Sequence, residues 1–295
     1  MLMNNFISSL PNPMGYGENP TWTKFGFSVN GKAMQILEYS ENFIGWSDDL
    51  THIHEFLVGS AHPIDVASRR VAIQGLQNLN LPSESIVLEI GCSSGFLIKE
   101  ISSRFPSLCL VGADVVREPL FRLAKECPTI PLLRFDLLQS PIPAQSVRAV
   151  IMLNVLEHIE SDEVALKKIY SMLSPGGALI LEVPASPLLY GPYDAALGHF
   201  RRYTKIGLCK KMTSAGFLIE RSSHLGFLLF PFFFAVKMKD KILKSREKVD
   251  LFASQAQSTS KSKLLEFLLK IELKYLSCLS LPFGIRTIVV ARKPY

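Results

Sequence analysis

Two stretches of this chain concentrate side chains able to do chemistry. In the first, three acids close successive apolar runs: Glu89 after Ile86-Val87-Leu88, Asp114 after Leu108 to Ala113, and Asp136 after Pro131 to Phe135. Gly91 and Gly95 follow the first acid and bracket Cys92, Ser93 and Ser94. Glycines so placed make a tight turn that brings backbone N–H groups and a helix N-terminus against a ligand, with no Cβ in the way. Three carboxylates around such a turn suit a ligand with a cationic amino group and no phosphates. The dinucleotide signature G-x-G-x-x-G wants glycine where this chain has Ser93 and Phe96, which disfavours a pyrophosphate.

The second stretch runs from Leu189 to Tyr203 and holds Tyr190, Tyr193, Asp194, His199, Arg201, Arg202 and Tyr203. Aromatic, acidic, imidazole and guanidinium groups this close together suit the binding of a second molecule. It follows a strand, so it lies over the same ligand pocket.

The elements that must position these residues are short alternating β and α units. Apolar strands are expected at Ile86 to Leu88, Leu108 to Ala113, Pro131 to Phe135, Val147 to Leu153, Ala178 to Val183, Phe217 to Ser223 and Ile285 to Ala291. Helices are expected at Pro63 to Leu79, after Gly95, at Leu120 to Cys127, at Asp162 to Leu173 and from the N-cap Thr204 through Ala215. Ser174-Pro175-Gly176-Gly177 reads as a helix stop. This alternation predicts an α/β, Rossmann-like, mostly parallel sheet with helices on both faces and ligands at the carboxyl ends of the strands. A helix-like segment is also expected around Lys32 to Asn42.

Composition agrees with a globular protein: 295 residues, 48% hydrophobic and 20% charged, enough to bury a large core. The five scattered cysteines contain no C-x-x-C pair, so neither a disulfide framework nor a zinc site is expected and a reducing cytoplasm is the default. His52, His54, Glu55, His62 and Asp65 cluster in sequence, but their spacing fits no common metal motif, and no metal is expected. Met1 to Pro13 lacks a basic n-region and is not read as a signal peptide. The net charge of +6 is mildly basic, and much of the excess lies in Lys237 to Lys248 and Lys261 to Lys274.

Taken in order, Glu89-Ile-Gly91-Cys-Ser-Ser-Gly95, Asp114, Asp136-Leu137, Asn154-Val-Leu-Glu157-His158 and Ser174-Pro-Gly-Gly177 resemble the motifs of class I S-adenosylmethionine-dependent methyltransferases. The resemblance covers about residues 63–224 plus the last strand. It implies seven strands, the last antiparallel and inserted beside the fifth. It also implies S-adenosyl-L-methionine as cofactor and S-adenosyl-L-homocysteine as product. Glu89 and the Gly91, Cys92 and Gly95 backbone would hold the methionine moiety. Asp114 with Val115 would meet the ribose, Asp136 with Leu137 the adenine, and Asn154 the sulfonium end. One departure is Ser93, where the family often has glycine; serine fits if its φ is ordinary. Gly198-His199-Phe200-Arg201-Arg202-Tyr203 is similar to a segment of a bacterial subgroup of these enzymes. Histidine is the usual base for an oxygen acceptor, so His199 or His158 is the expected base, with Asp194, Tyr193 and Arg201 orienting the acceptor and Tyr190 and Tyr203 beside them in its binding.

The expected organisation is an N-terminal helical cap (1–62), a core (63–224), a hydrophobic and basic insertion (225–284) and a last core strand (285–295). Phe227, Phe230, Phe232, Phe233 and Phe234, followed by Lys237, Lys239, Lys241 and Lys244, suit a greasy acceptor, a second copy of the chain or the surface of a membrane. The expected reaction is O- or N-methylation of a small-molecule or lipid-like acceptor, not of nucleic acid, since no base-holding loop follows Leu153. The alternatives are a non-catalytic binding module with the same fold and a nicotinamide-dependent oxidoreductase.

Overall fold

A computed structural model describes residues 2–40, 51, 61–243, 262–276 and 278–295. Its centre is one eight-stranded sheet. The strands that matter to the site are β5 (Ile86–Ile90), β6 (Cys109–Asp114), β7 (Leu132–Arg134), β8 (Val147–Leu153) and β9 (Leu173–Pro184), followed by β10 (Leu218–Leu225) and β11 (Arg286–Arg292). Their order is β10-β11-β9-β8-β5-β6-β7-β4, where β4 (Leu37–Glu38) is an added edge strand. The strands from β9 to β4 run parallel, whereas β11 is antiparallel to both β9 and β10. Seven of these strands match the expected plan, and the eighth, β4, pairs through Leu37↔Leu133.

Both faces of the sheet are covered, which explains the nearly unbroken apolar strands. Successive residues point to opposite faces. Leu88, Val111, Val150 and Met152 pack on one side with helices α5 (Asp162–Met172) and α7 (Lys205–Ser214) through Leu166, Ile169, Leu208 and Met212. Val87, Leu110, Ala149 and Ile151 pack on the other with α2 (Pro63–Asn78), α3 (Phe96–Arg104) and α4 (Glu118–Glu126) through Ile73, Leu97, Ile101 and Leu123. The strand order turns back at β5, whose neighbours β6 and β8 are reached by crossovers in opposite directions. The two loops therefore part there and leave a crevice at the carboxyl ends.

The N-terminal segment differs from the expectation. The described part of the Lys32 to Asn42 run is extended: β3 (Lys32–Met34) and β4, not a helix. β3 pairs with β2 (Phe27–Val29), and β2 with β1 (Thr21–Trp22), in a small antiparallel sheet. The signal was the dipeptide Asn30-Gly31, with φ of +49° and +72°, the mirror-image turn that joins two strands directly. The only helix described before residue 40 is α1 (Leu2–Ser8), whose Phe6 and Ile7 join the first core face. Ser174 to Gly177 stops helix α5 at Met172 but lies inside β9.

The segment after β10 forms α8 (Phe230–Leu243) and α9 (Lys263–Ile271), the latter continuing as a wider turn over Glu272–Leu276. Leu269 of α9 packs with Ile64 and Ala67 of α2 and with Leu225 and Ile288 at the sheet end. Among the described residues no helix is long and apolar enough to cross a membrane.

Candidate active site

The glycine turn is built as its residue types require. Gly91 has φ +81° and Gly95, the N-cap of α3, has φ +76°. A Cβ on Gly91 would lie 2.2 Å from Val155 Cγ2, and one on Gly95 would lie 2.4 Å from Leu123 Cδ1. Neither position tolerates a side chain without displacement. Ser93 has φ +43°, so the condition of an ordinary φ is not met. This is a left-handed position, which costs a residue with a Cβ roughly 1–2 kcal/mol.

Asp114 holds that strained residue in place. Its Oδ2 accepts from Ser93 N at 2.7 Å, and its Oδ1 accepts from Val115 N at 2.7 Å and Val116 N at 3.2 Å. One carboxylate thus ties the β5 loop to the β6 loop. Glu89, one strand over, is buried and its Oε2 has no hydrogen-bond partner. Burial first, and the neighbouring Asp114 charge second, push its pKa well above the usual carboxylate range, against the pull of Arg69. A buried oxygen without a donor, beside a second acid, fits a cationic group of a ligand. Asp136 is half-buried and accepts from Leu138 N at 2.8 Å, capping the short turn Leu137–Gln139, with Leu137 buried beneath. Cys92 is buried, and burial pushes its thiol up, as suits an inert filler.

Asn154 leaves β8 with φ +53°, a conformation asparagine tolerates well. Its Nδ2 donates to Glu182 Oε1 at 3.0 Å. Glu182, at the end of β9, is fully buried and also receives Arg286 Nη1 at 3.0 Å, while Arg286 pairs with Asp65 of α2. The sequence reading missed Glu182 and Arg286. The available signal was a fourth acid at the end of a strand, in Leu181-Glu182-Val183.

The second stretch, which includes the short helix α6 (Pro192–Ala196), folds over the end of β8. His199 Nδ1 lies 3.1 Å from Asp194 Oδ1, and Arg202 Nε donates to the same oxygen at 2.7 Å. Gly191 N donates to Asp194 Oδ2 at 3.0 Å, and Lys237 Nζ of α8 lies 3.5 Å from it. Burial opposes the Asp194 charge, but His199, Arg202 and Lys237 outweigh it and hold the pKa well below the usual range. A carboxylate can only accept, so His199 Nδ1 is the donor and Nε2 is left as the acceptor. Asp194 is fully buried, its carboxylate taken up by His199, Arg202, Gly191 and Lys237. The His158 ring stands edge-on to His199 with centroids 4.6 Å apart.

The other expected acceptor residues divide. Tyr190 Oη donates to His199 O at 2.7 Å, and Tyr193 stacks over the Lys237 ammonium at 5.0 Å, burial pushing its hydroxyl up to about 12. Tyr203 is buried and donates to Asp162 Oδ2 at 3.0 Å, and Arg201 Nη1 lies 3.0 Å from that same oxygen. Tyr203 therefore braces the loop from beneath, while the Arg201 side chain stays 31% exposed. Arg202, not Arg201, is the guanidinium buried beside His199.

Glu157 completes the cluster. It is fully buried, neither carboxylate oxygen has a hydrogen-bond partner, and burial pushes its pKa up to about 8. Its ligand atoms and those of His158 and His199 lie within 4.8 Å of one another. Of the earlier histidine cluster, His52, His54 and Glu55 lie outside the described residues, and His62 Nδ1 lies 3.5 Å from Asp65.

Residues 87–177 match the family described as a methyltransferase domain. The chain is 25% identical over 139 residues to a protein of Mycolicibacterium smegmatis described as a "probable S-adenosylmethionine-dependent methyltransferase", covering 45% of this chain and 52% of that one. It is 26% identical over 147 residues to the tRNA U34 carboxymethyltransferase of Desulfotalea psychrophila, covering 48% and 45%. It thus spans about half the length of these curated relatives. In fold it is similar to a Haemonchus contortus phosphoethanolamine N-methyltransferase 2 solved with phosphomonomethylethanolamine and S-adenosylhomocysteine, with a TM-score of 0.58 at 15% identity over 83% of this chain and 57% of that one. The glycine turn, the strand order and the match over residues 87–177 support a methyltransferase domain of class I, the S-adenosylmethionine-dependent type. This chain carries one, extended by a small antiparallel sheet before it and by helices α8 and α9 ahead of its last strand.

Proposed function

We propose that the chain binds S-adenosylmethionine in the crevice at β5 and β6 and catalyses O- or N-methylation of a small-molecule or lipid-like acceptor. The observation that carries this reading is the pairing of Glu89, whose buried Oε2 lacks a donor, with Asp114, which organises the glycine turn. Glu89 and the Gly91, Cys92 and Gly95 backbone would hold the amino-acid end of the cofactor, Asp114 and Val115 its ribose, and Asp136 and Leu137 its adenine. Asn154, held by Glu182, would lie toward the sulfonium. When bound, the cofactor supplies a methyl group on a good leaving group, so the protein's tasks are positioning, water exclusion and proton removal.

Proton removal falls to the imidazole pair. Asp194 keeps Nδ1 of His199 engaged and leaves Nε2 to accept a proton from an oxygen acceptor, the arrangement that makes histidine an oriented base. His158 packs at its edge, and Tyr193 lines the approach.

Residues 63–224 with 285–295 are the catalytic core in this reading, 1–62 an N-terminal cap, and 225–284 an acceptor cover. Phe232, Phe234 and Phe267 are exposed on that cover, while Lys237 reaches in to Asp194. An apolar outer face with a cationic anchor beneath suits a greasy acceptor delivered from a membrane surface or shielded by a second copy of the chain. Isothermal calorimetry with S-adenosylmethionine and S-adenosylhomocysteine tests the cofactor. Labelled methyl incorporation into lipid, small-molecule and tRNA pools tests the acceptor class. No heat with either cofactor form would reject the reading, and label confined to tRNA would reject the acceptor class.

A further inference from the structure

The Glu157, His158 and His199 cluster has no explanation as packing. A carboxylate with both oxygens buried and no hydrogen-bond donor costs several kcal/mol if ionised. Glu157 nonetheless stands beside two imidazoles, that of His199 with a side chain only 8% exposed. Its backbone is fixed from the opposite loop, since Phe200 N donates to Glu157 O at 2.8 Å. His199 is fixed three ways: its N donates to Asp194 O at 2.9 Å, its O accepts from Tyr190, and its Nδ1 donates to the Asp194 carboxylate. A buried carboxylate holding the far nitrogen of an imidazole is how metal-ligating histidines are oriented.

From this geometry we infer that Glu157, His158 and His199 bind one divalent first-row transition cation, with coordination positions left open for an acceptor oxygen. Two imidazole nitrogens and one carboxylate oxygen form a donor set suited to Zn²⁺, Mn²⁺, Fe²⁺ or Co²⁺. Metal bonds of this kind are about 2.0–2.2 Å, so two ligand atoms sit at most about 4.4 Å apart. The present spread of up to 4.8 Å must contract by at least about 0.4 Å for all three atoms to bind one ion. The cluster begins two residues after Val155, whose Cγ2 packs on Gly91 of the cofactor turn, so a cation there adjoins the proposed methyl donor. It would lower the pKa of a bound acceptor hydroxyl, whose proton passes to solvent.

This inference rests on the location of the site proposed above but changes the role of His199 from base to ligand. The two readings separate experimentally. The full chain is stripped with EDTA, dialysed, and titrated with Co²⁺ or Zn²⁺ alone, while cofactor binding is measured on the same sample by calorimetry. The expected result is one Co²⁺ per chain, visible d–d absorption and a raised melting temperature. His158→Ala and His199→Ala each weaken Co²⁺ binding at least ~10-fold, with cofactor affinity unchanged. Glu157→Gln, nearly isosteric, does the same and guards against misfolding in the alanine variants. No binding of Co²⁺, Zn²⁺ or Mn²⁺, or binding indifferent to all three substitutions, overturns the metal site and leaves His199 as a base. Absence of cofactor binding with the metal still bound overturns the methyltransferase reading instead.

Discussion

Asp194 and His199, five residues apart, meet as a buried carboxylate and the Nδ1 edge of an imidazole, 3.1 Å from atom to atom. Two cations, Arg202 and Lys237, close on the same carboxylate. Asp194→Ala should therefore act twice. It should cost about 3–5 kcal/mol of stability, because buried cations lose their counter-charge, and it should release the His199 ring. Asp194→Asn keeps the shape and loses the charge, so it is the cleaner variant. Turnover should fall about 10²- to 10⁴-fold while the cofactor dissociation constant stays within about twofold. Steady-state kinetics beside calorimetry checks this, and a loss of cofactor affinity equal to the loss of turnover would refute the positioning role.

Gly91→Ala should abolish cofactor binding and lower the melting temperature, because the new methyl would sit 2.2 Å from Val155 Cγ2 at a φ of +81°. Adding Val155→Ala removes the clash but not the left-handed strain of roughly 1–2 kcal/mol. The double variant should therefore recover only part of the stability. Full recovery in a thermal melt would show that the steric contact alone matters.

Glu89 provides a pH test. In the free protein, burial and the Asp114 charge raise its pKa, so it keeps its proton above the ordinary carboxylate range. A cationic ligand group favours the carboxylate, so cofactor binding should release a proton. Affinity should climb as pH rises from the ordinary range toward the raised value and level off above it. Binding heats measured in two buffers of different ionisation enthalpy should differ in that window, and Glu89→Gln should remove the difference. Equal heats for the native protein would contradict it.

Asp162 carries the opposite sign. Burial works against its charge, but hydrogen bonds from Lys211, Arg201 and Tyr203 outweigh it and lower its pKa. The stability it contributes is present above its unfolded value of 3.8 and is lost as pH falls through the lower folded value. Asp162→Asn should reduce stability at pH 7 by about 1–3 kcal/mol, since the buried Tyr203 hydroxyl loses a charged acceptor. The difference from the native protein should shrink as pH falls below 3.8 in denaturant melts.

The candidate site was only partly legible before folding. Glu89, Gly91, Gly95 and Asp114 stand out because a tight turn between strand and helix forces residue types at fixed offsets, and chemistry so local survives in one dimension. Val147–Leu153 emerges with the expected bounds because a strand covered on both faces must be apolar throughout. The Asn30-Gly31 hairpin was equally local, but the helix-like spacing of its flank masked it.

Chain order by itself determined the alternating units, the glycine turn and the acids at the strand ends, since each follows from contacts within a few residues. Only the tertiary structure decided which distant groups meet. Arg286 reaches Asp65, 221 residues away, and Glu182, 104 residues away. Lys237 comes from a separate helix to Asp194, and His199 is carried from a separate loop to Glu157 and His158. Those meetings depend on sheet order and loop path, which join segments whose separation along the chain carries no periodicity to read.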